Sequence, residues 1–236
     1  MKRALAALAV ATAVAAGGAA PAHATNECRG LQVCVRVAGP WVSVPAPASV
    51  PRPRVEFQLS CPRGYIVGGL DAERSDRAVD VSFLGKLGSP VNPGVTTSRA
   101  AVFVATYAGR AAAAPTFRPH IGCIPSSGGG GGPVPYLSPA AAAPSQTTIR
   151  RVTTLHVRAG STQRAVRTCA AGERLVSGGH AVGFYTSRPP SAALVSAVRA
   201  RQQLSADRVT ATVHSTVAVA GVRTIVQLAA VCGGGR

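Results

Sequence analysis

Apolar and polar residues alternate along much of this chain with a period of two. Val55, Phe57, Leu59 and Cys61 are separated by Glu56, Gln58 and Ser60. Val79, Val81 and Phe83 alternate with Asp80 and Ser82. Val209, Ala211, Val213, Ser215 and Val217 alternate with Thr210, Thr212, His214 and Thr216. Successive side chains of a strand point to opposite faces, so this pattern, with its β-branched residues, predicts half-buried strands. Residues 101–107 (AVFVATY) and 224–231 (TIVQLAAV) are almost continuously apolar and predict central strands. Turn signals punctuate the runs: Gly-Ser-Pro at 88–90, Asn-Pro-Gly at 92–94 and Arg-Pro-Pro at 188–190. No segment carries a 3.6-residue apolar stripe of helix length. The expected class is all-β, as two small disulfide-stapled β-sandwich-like domains.

Composition divides the chain further. Residues 1–24 have Lys2 and Arg3, then an apolar run, then Ala22-His23-Ala24. This three-part order predicts a secretory signal peptide cleaved after Ala24, the apolar run being short of the roughly 20 residues that span a bilayer. Residues 25–53 form a Pro-rich lead segment with its own Cys28 and Cys34. Residues 54–125 form a first block. Residues 126–145 (SSGGGGGPVPYLSPAAAAPS) read as a flexible Gly/Pro/Ala-rich linker, and 146–236 form a second block.

The two blocks read as diverged copies. VEFQLSCPRGYIVGG in the first corresponds to QRAVRTCAAGERLVSGG in the second. In each, a strand ends at a cysteine, a glycine follows three positions on (Gly64, Gly172), and a short stretch closes in Gly-Gly (Gly68-Gly69, Gly178-Gly179). Cys123 and Cys232 follow their opening cysteines by 62 and 63 positions. Gly64 and Gly172 suit turns that need a positive φ, and the paired glycines suit a bulge or close backbone packing. All six cysteines lie outside the signal segment. In an oxidising compartment an even count reads as disulfides, with 15 pairings open.

The pattern C-P-x-G…G-G, followed by a distant strand ending in Cys, resembles a small β-module of exported bacterial proteins, actinobacterial ones especially. The first block matches it through Cys61-Pro62-Arg63-Gly64 and Gly68-Gly69. In the second, Ala170 replaces the proline and two extra residues precede Gly178-Gly179. The resemblance implies that each cysteine pair staples the first strand of its module to the last. With the repeat, that gives Cys61–Cys123 and Cys169–Cys232, leaving Cys28–Cys34 as a small loop. It implies location and architecture, not an activity.

Charge changes the picture next. The chain carries 25 basic and 8 acidic residues, a formal net charge of +17. Lys2 and Lys86 are the only lysines, so the charge is guanidinium. Such a surface attracts polyanions over a Debye length of about 8–10 Å. Anionic cell-envelope polymers are the expected partners. The second block spreads its arginines over several strands, and Arg150, Arg151, Arg158, Arg164, Arg167, Arg199 and Arg201 are the polyanion-binding candidates. No recognition helix or aromatic stacking platform is visible, which argues against sequence-specific nucleic-acid binding.

The remaining chemistry is sparse. His120-Ile121-Gly122-Cys123 has metal-ligand residue types but lacks the paired Cys-x-x-Cys or His-x-x-His clusters of a zinc site, so no metal or cofactor is expected. There is no Gly-x-Ser-x-Gly elbow and no His-Glu-x-x-His. Asp71, Glu73, Asp76 and Asp80, with Arg74 and Arg77 among them, read as a solvated loop. His214 shares the polar face of its strand with threonines. The expected function is a secreted, non-catalytic binding or structural protein of the envelope or extracellular space. The alternative is a secreted hydrolase or inhibitor with a site assembled from His180, Asp71 and Ser187. A pocket holding His180 within reach of a carboxylate and a hydroxyl would favour that alternative.

Overall fold

The computed structural model describes residues 25–46, 52–84, 99–110, 114–126 and 148–234. The predicted signal peptide, and all of the predicted linker but its first residue, lie outside them. Among the described residues thirteen strands dominate, with one five-residue helix, Ala192–Ser196, and a 3-10 turn at Val217–Val219. The class is all-β, and three disulfides are present: Cys28–Cys34, Cys61–Cys123 and Cys169–Cys232.

The lead segment carries β1 (Val35–Ala38) and β2 (Trp41–Ser43). The first block carries β3 (Arg54–Ser60), β4 (Tyr65–Arg74), β5 (Val79–Leu84), β6 (Ala100–Tyr107) and β7 (Thr116–Pro125). The second carries β8 (Thr148–His156), β9 (Thr162–Thr168), β10 (Arg174–Phe184), β11 (Val198–Leu204), β12 (Arg208–Ser215) and β13 (Thr224–Gly233). The acidic stretch of the first block is strand rather than loop over most of its length. Asp71 and Glu73 lie in β4 and Asp80 in β5; only the turn around Asp76 is irregular.

All pairing is antiparallel. Two small sheets have the same strand order when counted from the strand that leads to the opening cysteine: β3-β6-β5 and β9-β12-β11. The remaining strands form one seven-stranded sheet. In it β7 has β4 on one flank, with β1 and β2 in line on the other. Strand β2 also pairs with β10 through Val42–Gly183 and Trp41–Phe184, and β10 continues to β13 and β8. The three residues Trp41–Ser43 therefore join the strands of the two blocks, a junction that the compositional boundaries did not mark.

Alternation explains how the layers stack. Along β13, Leu228, Ala230 and Cys232 pack with Ala165, Val209 and Ala211 of the β9-β12-β11 sheet. Ile225, of opposite parity, packs instead in the core of the first block, with Phe57, Phe103 and Phe117. Gln227 lies on that side too, hydrogen-bonded to β3. The two small sheets thus cover opposite faces of β13, and all ten residues of β13 are buried. Each long disulfide ties a small sheet to the large one: Cys61 follows β3 and pairs with β7, and Cys169 follows β9 and pairs with β13.

The sequence around the two opening cysteines folds alike. Gly64 and Gly172 have φ of +81° and +83°, the left-handed region that glycine enters without a Cβ penalty. The Cys61 and Cys169 N–H groups donate to the carbonyls of Arg99 and Asp207, each just before the central strand of its small sheet. Both following strands are bulged, between Val67 and Gly69 and between Leu175 and Ser177. The second bulge falls before Gly178-Gly179, where the two extra residues sit. Gly69 answers to close packing as well. A Cβ there, or at Gly122 opposite it, would run into the carbonyl of Glu27 in the Cys28–Cys34 region.

Candidate polyanion interface

The outer face of the β9-β12-β11 sheet is built by register. Residues directly opposite one another on antiparallel strands share a face. Arg201 of β11 faces Thr212 of β12, which faces Arg164 of β9; Arg199 faces His214, which faces Thr162. Val209, Ala211 and Val213 alternate with these residues and fill the core, so the sequence turns its arginines outward by period-2 necessity. Arg164, Arg199, Arg201, Thr162, Thr212 and His214 are all exposed. Thr162 Oγ1 lies 3.0 Å from His214 Nδ1, which fixes the imidazole on the face.

These arginines are not neutralised locally. The second block has two acids, Glu173 and Asp207, and each is taken by another arginine. Glu173 holds Arg151 through two contacts of 2.7 and 3.1 Å. That hydrogen bond, helped by the Ala170 N–H, keeps its carboxyl below the usual range. Asp207 holds Arg208 at 2.9 Å and is lowered by it. Among the described residues, Arg164, Arg199 and Arg201 make no ion pair. Three of the seven predicted arginines therefore come together.

The other four do not join that set. Arg150 is buried in the large sheet against Glu56 of β3. Arg151 is engaged by Glu173. Arg167 alternates with Arg164 and lies on the inward side of β9. Arg158 is exposed in the turn after β8, where its carbonyl accepts from Ser161 Oγ and Ser215 Oγ; its backbone, not its guanidinium, is what the fold uses. Reading arginines from composition missed this split, because strand parity and the pairing of the buried Arg150 with Glu56 decide it.

His180, Asp71 and Ser187 are not assembled into a site. His180 does line a cavity of about 310 Å³ together with Ser43, Glu56, Arg150, Ser177 and Gln202. Its Nδ1, however, lies 2.9 Å from the Gln202 amide oxygen. Asp71 is on β4, opposite His120, and its carboxylate accepts from the N–H groups of Asn26 and Ala72, both at 2.7 Å. Ser187 is exposed beyond the end of β10. Cys123, paired with Cys61, has no thiolate to offer beside His120, whose Nε2 is 3.0 Å from Glu73. Cys169, Cys232 and Glu173 converge, but the cysteines are bonded to each other and the carboxylate to Arg151.

No protein-family model, characterised protein or solved structure matches this chain. The site therefore rests on its own geometry. Two contributors lay beyond sequence reasoning. Gln227 bonds the edge of β3 through both ends of its amide, at 2.7 and 2.9 Å. Glu27 is buried over β7 near His120. The only sequence signal for Gln227 is a lone amide inside an apolar run; Glu27 gave none.

Proposed function

We propose that the protein is exported and acts without catalysis, binding polyanions through the outer face of the β9-β12-β11 sheet. The observation that carries this reading is the convergence of Arg164, Arg199 and Arg201 on one exposed face while both acids of the block are engaged elsewhere. Two positive side chains on one strand and a third across the sheet add their potentials where an anionic chain would lie. Export is supported by the n-region, apolar run and small-residue end of residues 1–24 and by three disulfides, which persist in oxidising compartments. Among the described residues no helix is long and apolar enough to cross a membrane.

The blocks are diverged copies of one module, and β2 fuses them edge to edge. The matched strand orders, glycine turns and stapling positions support this. The duplication explains what the two share as architecture, so function belongs to what differs. The arginine face is such a difference. In the β3-β6-β5 sheet, aligned through the opening cysteines, the positions equivalent to Arg164, Arg199 and Arg201 are Glu56, Asp80 and Ser82, so that sheet has no such arginines.

The test is retention on an anionic matrix. The triple variant Arg164→Gln/Arg199→Gln/Arg201→Gln is compared with Arg52→Gln/Arg63→Gln/Arg77→Gln, which removes equal charge from exposed positions elsewhere. The first is expected to elute at clearly lower salt than the second. Equal elution would make net charge, not this face, the cause of binding.

A further inference from the structure

The same face has features that bear on which polyanion it takes. Arg199 and Arg201 are two positions apart on β11, so their Cα atoms are about 7 Å apart along the strand. Arg201 and Arg164 flank β12 in the same row, about 10 Å apart across two strand spacings. A linear chain of regularly spaced anions can place a charge beside each of the three guanidinium groups. Guanidinium presents two parallel N–H donors, which suits the paired oxygens of a phosphodiester, and the second block contains no lysine.

The ground between the cations is hydroxyl and imidazole, not aromatic. Thr162, Thr212 and His214 are exposed in the two rows that hold the arginines, and the exposed Val166 follows Arg164 along β9. No Phe, Tyr or Trp occurs in β9, β11 or β12. Nucleobases bound as single strands gain about 1–3 kcal/mol each from stacking on aromatic rings, and this face offers nothing to stack on. Threonine hydroxyls donate to and accept from the hydroxyls of a polyol.

Resting on the polyanion reading above, we infer that the ligand is a polyol-phosphate polymer. Its phosphates seat on Arg164, Arg199 and Arg201, and its free hydroxyls seat on the threonines between them. The phosphates supply the affinity, and the hydroxyls distinguish this polymer from other phosphate chains.

The experiment uses the full exported chain with its disulfides formed. Its Kd is measured at fixed salt for poly(glycerol phosphate), inorganic polyphosphate, oligo(dT), oligo(dA) and polygalacturonate of matched charge. The variants are the triple arginine variant and Thr162→Val/Thr212→Val, which keeps strand-compatible branching. Poly(glycerol phosphate) is expected to bind at least as tightly as either oligonucleotide, with no preference between dT and dA, and about tenfold more tightly than polygalacturonate. The threonine variant is expected to weaken poly(glycerol phosphate) several-fold and leave inorganic polyphosphate unchanged.

Tighter binding of an oligonucleotide, a base preference, equal binding of the carboxylate polymer, or a threonine effect shared by polyphosphate would each overturn the polyol-phosphate assignment while leaving the arginine face in place. Failure of the triple arginine variant to weaken any of the polymers would overturn the polyanion reading itself.

Discussion

Gln227 offers the sharpest test of how the two blocks are held together. Strand β3 is paired on one side only, to β6, so its other edge presents unpaired backbone groups. At Gln58 the edge is closed by a side chain from the second block. Gln227 Oε1 accepts from the Gln58 N–H at 2.7 Å, and Gln227 Nε2 donates to the Gln58 carbonyl at 2.9 Å. Gln227→Leu keeps the volume and removes both partners. Each orphaned group costs about 1–3 kcal/mol when buried, and the low end applies because the contact is only part-buried. Two groups at about 1–1.5 kcal/mol each, less about 1 kcal/mol for the added apolar burial, leave a net loss of about 1–2 kcal/mol. Gln227→Glu keeps the acceptor but aims a carboxylate at a carbonyl, which raises its pKa in the folded state. The folded Glu variant then binds its proton more tightly than the unfolded chain, so its stability falls as pH rises. Urea unfolding at pH 5 and pH 7 reads both effects. A Gln227→Leu protein within about 0.3 kcal/mol of wild type, or a Gln227→Glu protein indifferent to pH, would refute this account of the junction.

Other consequences are independent of that contact. Chain-entropy estimates for loops of 62, 63 and 6 residues give about 4, 4 and 2 kcal/mol, so removing Cys61–Cys123 and removing Cys169–Cys232 should cost alike, each more than removing Cys28–Cys34; denaturant midpoints of the paired Cys→Ala variants check the order. Gly69→Val places side-chain atoms where the Glu27 carbonyl lies and should release the N-terminal loop, seen as faster hydrogen exchange at 26–34 with the β13 amides unchanged. Glu173, lowered by Arg151, contributes stability that is present above its ordinary value of 4.5 and is lost as pH falls through the lowered folded value. Glu173→Gln should therefore flatten stability against pH below about 4.5, as acid unfolding monitored by circular dichroism would show.

The fold was legible where one rule decided the outcome. Period-2 runs gave β3, β5 and β12, and the continuous run at 224–231 gave a strand buried on both faces. Glycine spacing after each opening cysteine gave two positive-φ turns, because only glycine adopts that backbone freely. The resemblance and repeat together gave all three pairings.

What escaped depends on partners distant in the chain. Three residues at Trp41–Ser43 are too short to show a period, yet they join the large sheet. The stretch around Asp71 and Glu73 looked like a loop because its polar residues dominate, but Asp71 meets the Asn26 N–H and Glu73 meets His120. Arginines that are alike in composition separate only once parity is known: Arg164 and Arg167 sit three apart on one strand and so face opposite ways.

Whether Arg164, Arg199 and Arg201 act together as one face is read most directly from the salt dependence of binding. The logarithm of the association constant for poly(glycerol phosphate) is measured against the logarithm of salt concentration, for the wild type and the triple glutamine variant. Each phosphate neutralised on a flexible chain contributes about −0.7 to that slope, so the variant's slope should be shallower by about 2. An unchanged slope would contradict the face as the binding surface.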